Sequence, residues 1–154
     1  MQRPVGVCDY RGIGVWMRVL LSAGLLLAAS APATGQEGTG TVIDCDIQKG
    51  ACEKIVAGTK VTLDIIPRPV QAMRDLTFRV TVADYERLSA SPSIDLNMPA
   101  MDMGVNQVPL NDLGKGVYEG RGVIVRCRSG RKTWRARIVL PDLGRADFIF
   151  DVVY

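Results

Sequence analysis

Histidine is absent from this 154-residue chain. Its absence removes Ser-His-Asp and Cys-His catalysis, His-ligated zinc and the commonest general base near neutral pH. No apolar run reaches the roughly 18 residues that a spanning helix needs, which argues against a polytopic membrane protein. Long amphipathic helices are missing too; Ala83 to Leu88 could form a turn or two. Carboxylates are scattered singly, with no pair at an acid–base spacing. There is no phosphate-cradling loop, because Gly120-Arg-Gly122 lies inside a strand pattern and marks a bulge or close packing. These absences leave no nucleophile with its base, and no enzyme is expected. What is there is an apolar fraction of 47%, enough for one domain with a core.

The N-terminal part reads as an export signal. Arg18 precedes an apolar stretch from Val19 to Ala29, and small residues follow in Ala29-Ser-Ala31 and Ala31-Pro-Ala33. Cleavage after Ala33 is preferred, since a cut after Ala31 would leave Pro32 first. Residues 1–33 are therefore assigned to the signal, with an uncleaved anchor as the alternative. Asp9 and Trp16 fit poorly ahead of it, and a start at Met17 would give a compact signal. The expected location is periplasmic or secreted, with no stable membrane span after cleavage. Residues 34–154 then carry 16 Lys and Arg against 15 Asp and Glu, a net charge of +1. That balance gives no electrostatic reason to expect nucleic acid as a partner.

Residues 34–56 read as a flexible leader plus a Cys45–Cys52 loop, and residues 57–154 as the folded domain. Within that domain apolar residues recur with a period of two, which only strands bury on one face. Val61, Leu63 and Ile65 share a face, as do Leu76, Phe78, Val80 and Val82, and likewise Ile94, Leu96 and Met98. The same reading puts Val123, Val125 and Cys127 inward, then Trp134, Ala136, Ile138 and Leu140, then Phe148, Phe150, Val152 and Tyr154. Turn residues separate the runs at Pro67-Arg-Pro69, Asn111-Asp-Leu-Gly114, Arg128-Ser-Gly130 and Asp142-Leu-Gly144. The expected fold is all-β, an immunoglobulin-like antiparallel β-sandwich of six to seven strands, with Trp134 opposite Cys127 anchoring the core.

Sulfur is the chemistry on offer. Met98, Met101 and Met103 crowd into Leu96-Asn-Met-Pro-Ala-Met-Asp-Met-Gly104, where Pro99 and Gly104 bend the backbone so that thioethers can converge. Thioether sulfur is neutral and soft, and favours Cu(I) over Zn²⁺, Mg²⁺ or Ca²⁺. The competing reading is core packing, since Met98 shares the buried parity of Ile94 and Leu96. Met101 and Met103, beyond the proline, are the better ligand candidates. Cys45 and Cys52 are close enough in sequence to close a disulfide, or to act as a dithiol metal site or redox pair if reduced. Cys127 reads as a buried inert thiol, or pairs with Cys45 or Cys52; with Cys8 falling in the signal, the remaining three Cys allow three single bridges. The cations Arg126, Arg128, Arg131, Lys132, Arg135 and Arg137 surround one hairpin. They form either a stripe for an acidic partner or lipid headgroups, or a solvated sheet face.

Three further segments carry a resemblance. Asp95-Leu-Asn-Met-Pro-Ala-Met-Asp-Met-Gly104, Gly116-Val-Tyr-Glu-Gly120 and Gly130-Arg-Lys-Thr-Trp-Arg-Ala136 resemble the YtkA-like family, related to FixH-type proteins, over Val61 to Tyr154. The resemblance implies a small exported immunoglobulin-like domain. It also implies periplasmic copper handling, with Cu(I) at Met98, Met101 and Met103 and a copper-handling envelope protein as partner. FixH-type members carry a membrane anchor, which a cleavable signal replaces here, and the Cys45 to Cys52 element lies outside the family pattern. The alternative expectation is a metal-free interaction or structural module.

Overall fold

The computed structural model describes residues 41–99, 101 and 103–154. The expected signal, the start at Met17 and residues 34–40 of the leader lie outside the described residues. Nine strands are present among the described residues: β1 Cys52–Val56, β2 Thr59–Ile66, β3 Asp75–Val82, β4 Ser93–Asn97, β5 Gln107–Val108, β6 Asn111–Gly114, β7 Val117–Val123, β8 Thr133–Leu140 and β9 Gly144–Asp151. They form two antiparallel sheets, one in the order β1-β2-β3-β7-β6 and one in the order β5-β4-β8-β9. The all-β antiparallel sandwich is thus as expected, with more strands than six or seven. A single 3-10 turn at Tyr85–Arg87 is all that the Ala83–Leu88 stretch forms.

The core follows from alternation. Along β2 and β3 every second residue is buried, and Val61, Leu63, Ile65, Leu76, Phe78, Val80 and Val82 face inward. Across the gap stand Ile94 and Leu96 of β4, Trp134, Ala136 and Ile138 of β8, and Phe148 and Phe150 of β9. Large and small residues pair at Ala136, which lies between Leu96 and Phe148, and at Ile138 beside Ala146, whereas Trp134 and Phe150 set two large rings side by side. Burying each large side chain of this kind stabilises by about 1.5–3 kcal/mol.

Trp134 pairs with Phe150 within the second sheet, and it and Cys127 both belong to the buried core. Two expectations are corrected. The segment Asn111-Asp-Leu-Gly114 is a strand paired with β7, and the turn falls one step later at Lys115-Gly116. The strand expected over Val123–Arg128 ends at Val123; Tyr118, Gly120 and Ile124 are buried whereas Val123 and Val125 are exposed, and Cys127, beyond the strand, is buried as expected. The reason lies at the glycines. A Cβ on Gly120 would sit 2.1 Å from the Pro109 carbonyl oxygen, and one on Gly122 would sit 2.8 Å from Val108. The chain from β5 to β6 crosses against the inner face of β7, so glycine is required where an apolar side chain would normally point inward.

The first sheet also begins earlier than residue 57, because β1 pairs with β2 from Cys52↔Leu63 to Val56↔Thr59. Ahead of β1, Asp44 and Cys45 lie along the outer edge of β9. Both their backbone N–H groups donate to the Ile149 carbonyl at 3.1 Å, and the Ile149 N–H donates to the Asp44 carboxylate at 2.9 Å. The Cys45–Cys52 disulfide, with Cα atoms 5.6 Å apart, joins this edge segment to β1. One bridge therefore ties the edges of both sheets. Lys54 reinforces the seam: its ammonium bonds Asp44 and the Asp147 carbonyl and sits 5.3 Å from the centre of the Phe148 ring.

On the outer face of the second sheet, Arg137 donates to both carboxylate oxygens of Asp147, at 2.7 and 2.9 Å. These bonds hold the Asp147 carboxyl below its ordinary value, against the opposing effect of burial. Two predictions follow from this packing. Gly120→Ala should destabilise the fold by about 1–3 kcal/mol in urea titrations, whereas Gly50→Ala, with open space around it, should change little. Asp147 releases its proton more readily folded than unfolded. Its stabilisation is therefore complete above the ordinary aspartate range and fades as pH falls through the lower folded value. Asp147→Asn should melt earlier than the parent at neutral pH and converge with it in strong acid; parallel curves would contradict the assignment.

Candidate functional site at the methionine turn

The strand ends set two poles. Asn97 ends β4, Thr133 opens β8, Asp151 closes β9 and Val123 closes β7 at one of them. The bridge between Gln71 and Val153 joins the β2–β3 loop to the same pole. The methionine run leaves β4 there. Met98 and Met101 form an isolated antiparallel bridge, in which the Met101 N–H donates to the Met98 carbonyl at 3.2 Å. Residues directly opposite in such a bridge project to the same side, so these two side chains leave the turn together.

Asn97 fixes both arms of the turn. Its side-chain oxygen accepts from the Met98 N–H at 2.8 Å and from the Met103 N–H at 3.1 Å. Beyond it, the Leu96 N–H donates to the Asn106 carbonyl at 2.8 Å, closing the loop against β4. Asn97 is absent from the sequence-based site residues. An Asn ahead of Met-Pro is the available signal, because such side chains bond nearby backbone groups in turns.

The three sulfurs are not equally placed. Met98 is 2% exposed and belongs to the core, whereas Met101 and Met103 are half-buried and pack against it. The β4–β8 pairing ends at Asn97↔Arg135, just ahead of Met98. Trp134 is fully buried and its indole N–H has no hydrogen-bond partner among the described residues. Met98 and Pro99 line a shallow depression with Thr41, Arg131, Lys132 and Thr133. Ala100 and Asp102, also in the run, lie outside the described residues.

The cysteines divide cleanly. Cys45 and Cys52 are bridged to each other, so in this form neither supplies a thiolate, and such a bond belongs in a non-reducing, extracytoplasmic compartment. Cys127 is free and buried, in the loop between β7 and β8 at the methionine pole. Its sulfur lies 3.0 Å from the Ser129 hydroxyl. That hydrogen bond, helped by Arg131, lowers the thiol's pKa. Tyr154 braces the same loop: its hydroxyl accepts from the Cys127 N–H at 3.1 Å and donates to the Arg131 carbonyl.

Among the described residues no group of three or more Cys, Asp or Glu side chains could hold a metal ion, and no helix is long and apolar enough to cross a membrane. The donors that the methionine turn offers are thioethers, which bind soft monovalent ions and interact weakly with hard divalent ones. Asn97→Ala should therefore act on the turn alone: about 1–2 kcal/mol of stability lost and faster hydrogen exchange at the Met98 and Met103 amides. Asn97→Asp, which keeps the acceptor, should restore most of both. Compared across protein-family models, curated proteins and solved structures, the chain has no match.

Proposed function

We propose that this chain is an exported, non-enzymatic β-sandwich domain that binds or passes on Cu(I) at Met98, Met101 and Met103 in the periplasm. The observation that carries the reading is the Met98–Met101 bridge with its Asn97 clamp. It sends two thioethers to one side of a braced turn and brings a third methionine back to the same clamp. A thioether has no proton to gain, so such a site keeps its donors in an acidic compartment, and unlike a thiol it forms no disulfide. The disulfide and the apolar stretch ahead of Ala33 support that compartment. The resemblance of residues 61–154 to the YtkA-like family supports the same cargo and a copper-handling envelope protein as partner.

A second reading has its own observation. Met98 is 2% exposed within the aliphatic core, which is what a packing methionine in a metal-free interaction module would show. Competition against a Cu(I) chelator separates the two. On the copper reading, Met101→Leu with Met103→Leu lowers the Cu(I) affinity at least tenfold while the melting temperature stays within a few degrees. Unchanged affinity in that double variant would remove the turn from the site.

A further inference from the structure

Charge is distributed unevenly over the domain. Residues 41–154 hold 16 Lys and Arg against 14 Asp and Glu, and four of those cations fall between residues 126 and 132, where there is no acid. Without those four cations residues 41–154 would carry −2 in place of +2. Arg126, Arg128, Arg131 and Lys132 are all exposed, and none belongs to an ion pair among the described residues, although six other cations do. The cluster is also braced. Tyr154 bonds the backbone at Cys127 and Arg131, and its ring lies 5.1 Å from the Arg126 guanidinium and 6.0 Å from the Lys132 ammonium.

Exposed apolar side chains flank the cations at the same pole. Val125 precedes Arg126 and is 39% exposed, Val153 precedes Tyr154 and is 40% exposed, and Met73 is 65% exposed. Met73 is held beside this loop by its N–H, which donates to the Ile124 carbonyl at 2.8 Å. We infer that the loop Val125–Lys132 with Met73 and Val153 is a docking surface for an anionic lipid bilayer, its cations meeting headgroup phosphates and its aliphatic side chains entering the interface. Unpaired cations supply the charge complementarity. Small separate aliphatic groups beside a tyrosine suit a lipid boundary, which needs no matching shape, better than an acidic protein face, which does. The inference does not depend on metal binding; it gives the methionine pole an orientation toward the membrane.

Sedimentation of the protein with phosphatidylcholine vesicles, with and without phosphatidylglycerol, tests this. The protein should bind the anionic vesicles preferentially and be released by high salt. Each cation is worth about fivefold in partitioning, so replacing all four with Ser should weaken binding by about 600-fold, nearly three orders of magnitude. Arg128→Glu, at an exposed side chain with no hydrogen bond or ion pair among the described residues, should cost roughly 20- to 30-fold with the fold intact. Met73→Ser with Val125→Ser should weaken binding with the salt dependence unchanged. Equal partitioning onto neutral and anionic vesicles at low salt, or full binding by Arg128→Glu, would overturn the inference. Retention on polyglutamate with no vesicle binding would overturn it in favour of an acidic protein partner.

Discussion

Two sheets that each bury one face still need something to keep their edges in step, and here that is the seam between β1 and β9. Cys45, lying on β9, is joined covalently to Cys52 at the start of β1. On the chain-entropy estimate a loop this short contributes about 2–3 kcal/mol. The same segment blocks the edge of β9, which would otherwise present unpaired backbone groups to other chains. Asp44 completes the cover by accepting the Ile149 N–H with its carboxylate, where a neighbouring strand would use a carbonyl. Lys54 then links Asp44, the Asp147 carbonyl and the Phe148 ring across the seam.

With the sheets in fixed relation, the loops at one pole become a defined surface. Met98 is rooted in the core at the end of β4, so the methionine turn inherits the rigidity of that strand. Asn97 closes the turn with a single oxygen shared between two amides. The loop from Ile124 to Lys132 is rooted differently, through buried Ile124 and Cys127 and through Tyr154. Soft sulfur and unpaired positive charge thus occupy one end of the molecule, each held by a side chain whose role is to anchor backbone.

The parts of this arrangement that can be read from sequence are those where hydropathy and burial run together. β2, β3, β4, β8 and β9 alternate apolar and polar residues, and they bury the residues expected. The inward parity of Met98 is visible for the same reason. β7 is not readable in this way, because its inward positions at 120 and 122 are glycines, which carry no hydropathy signal; the valines at 123 and 125 suggest the opposite face. β1 and β6 are edge strands with no fully buried residue, so their sequences resemble loops. The Asn97 clamp and the Tyr154 brace depend on contacts between separated backbone groups, and no local spacing reports them.

The central functional claim is that a braced methionine turn supplies a soft, uncharged donor set. Copper K-edge absorption on the Cu(I)-loaded protein tests it directly, because the first coordination shell reports donor type without reference to affinity. The account predicts a shell of sulfur donors that disappears in the Met101→Leu, Met103→Leu protein. A shell of nitrogen and oxygen, or a sulfur shell unchanged by those substitutions, would contradict it.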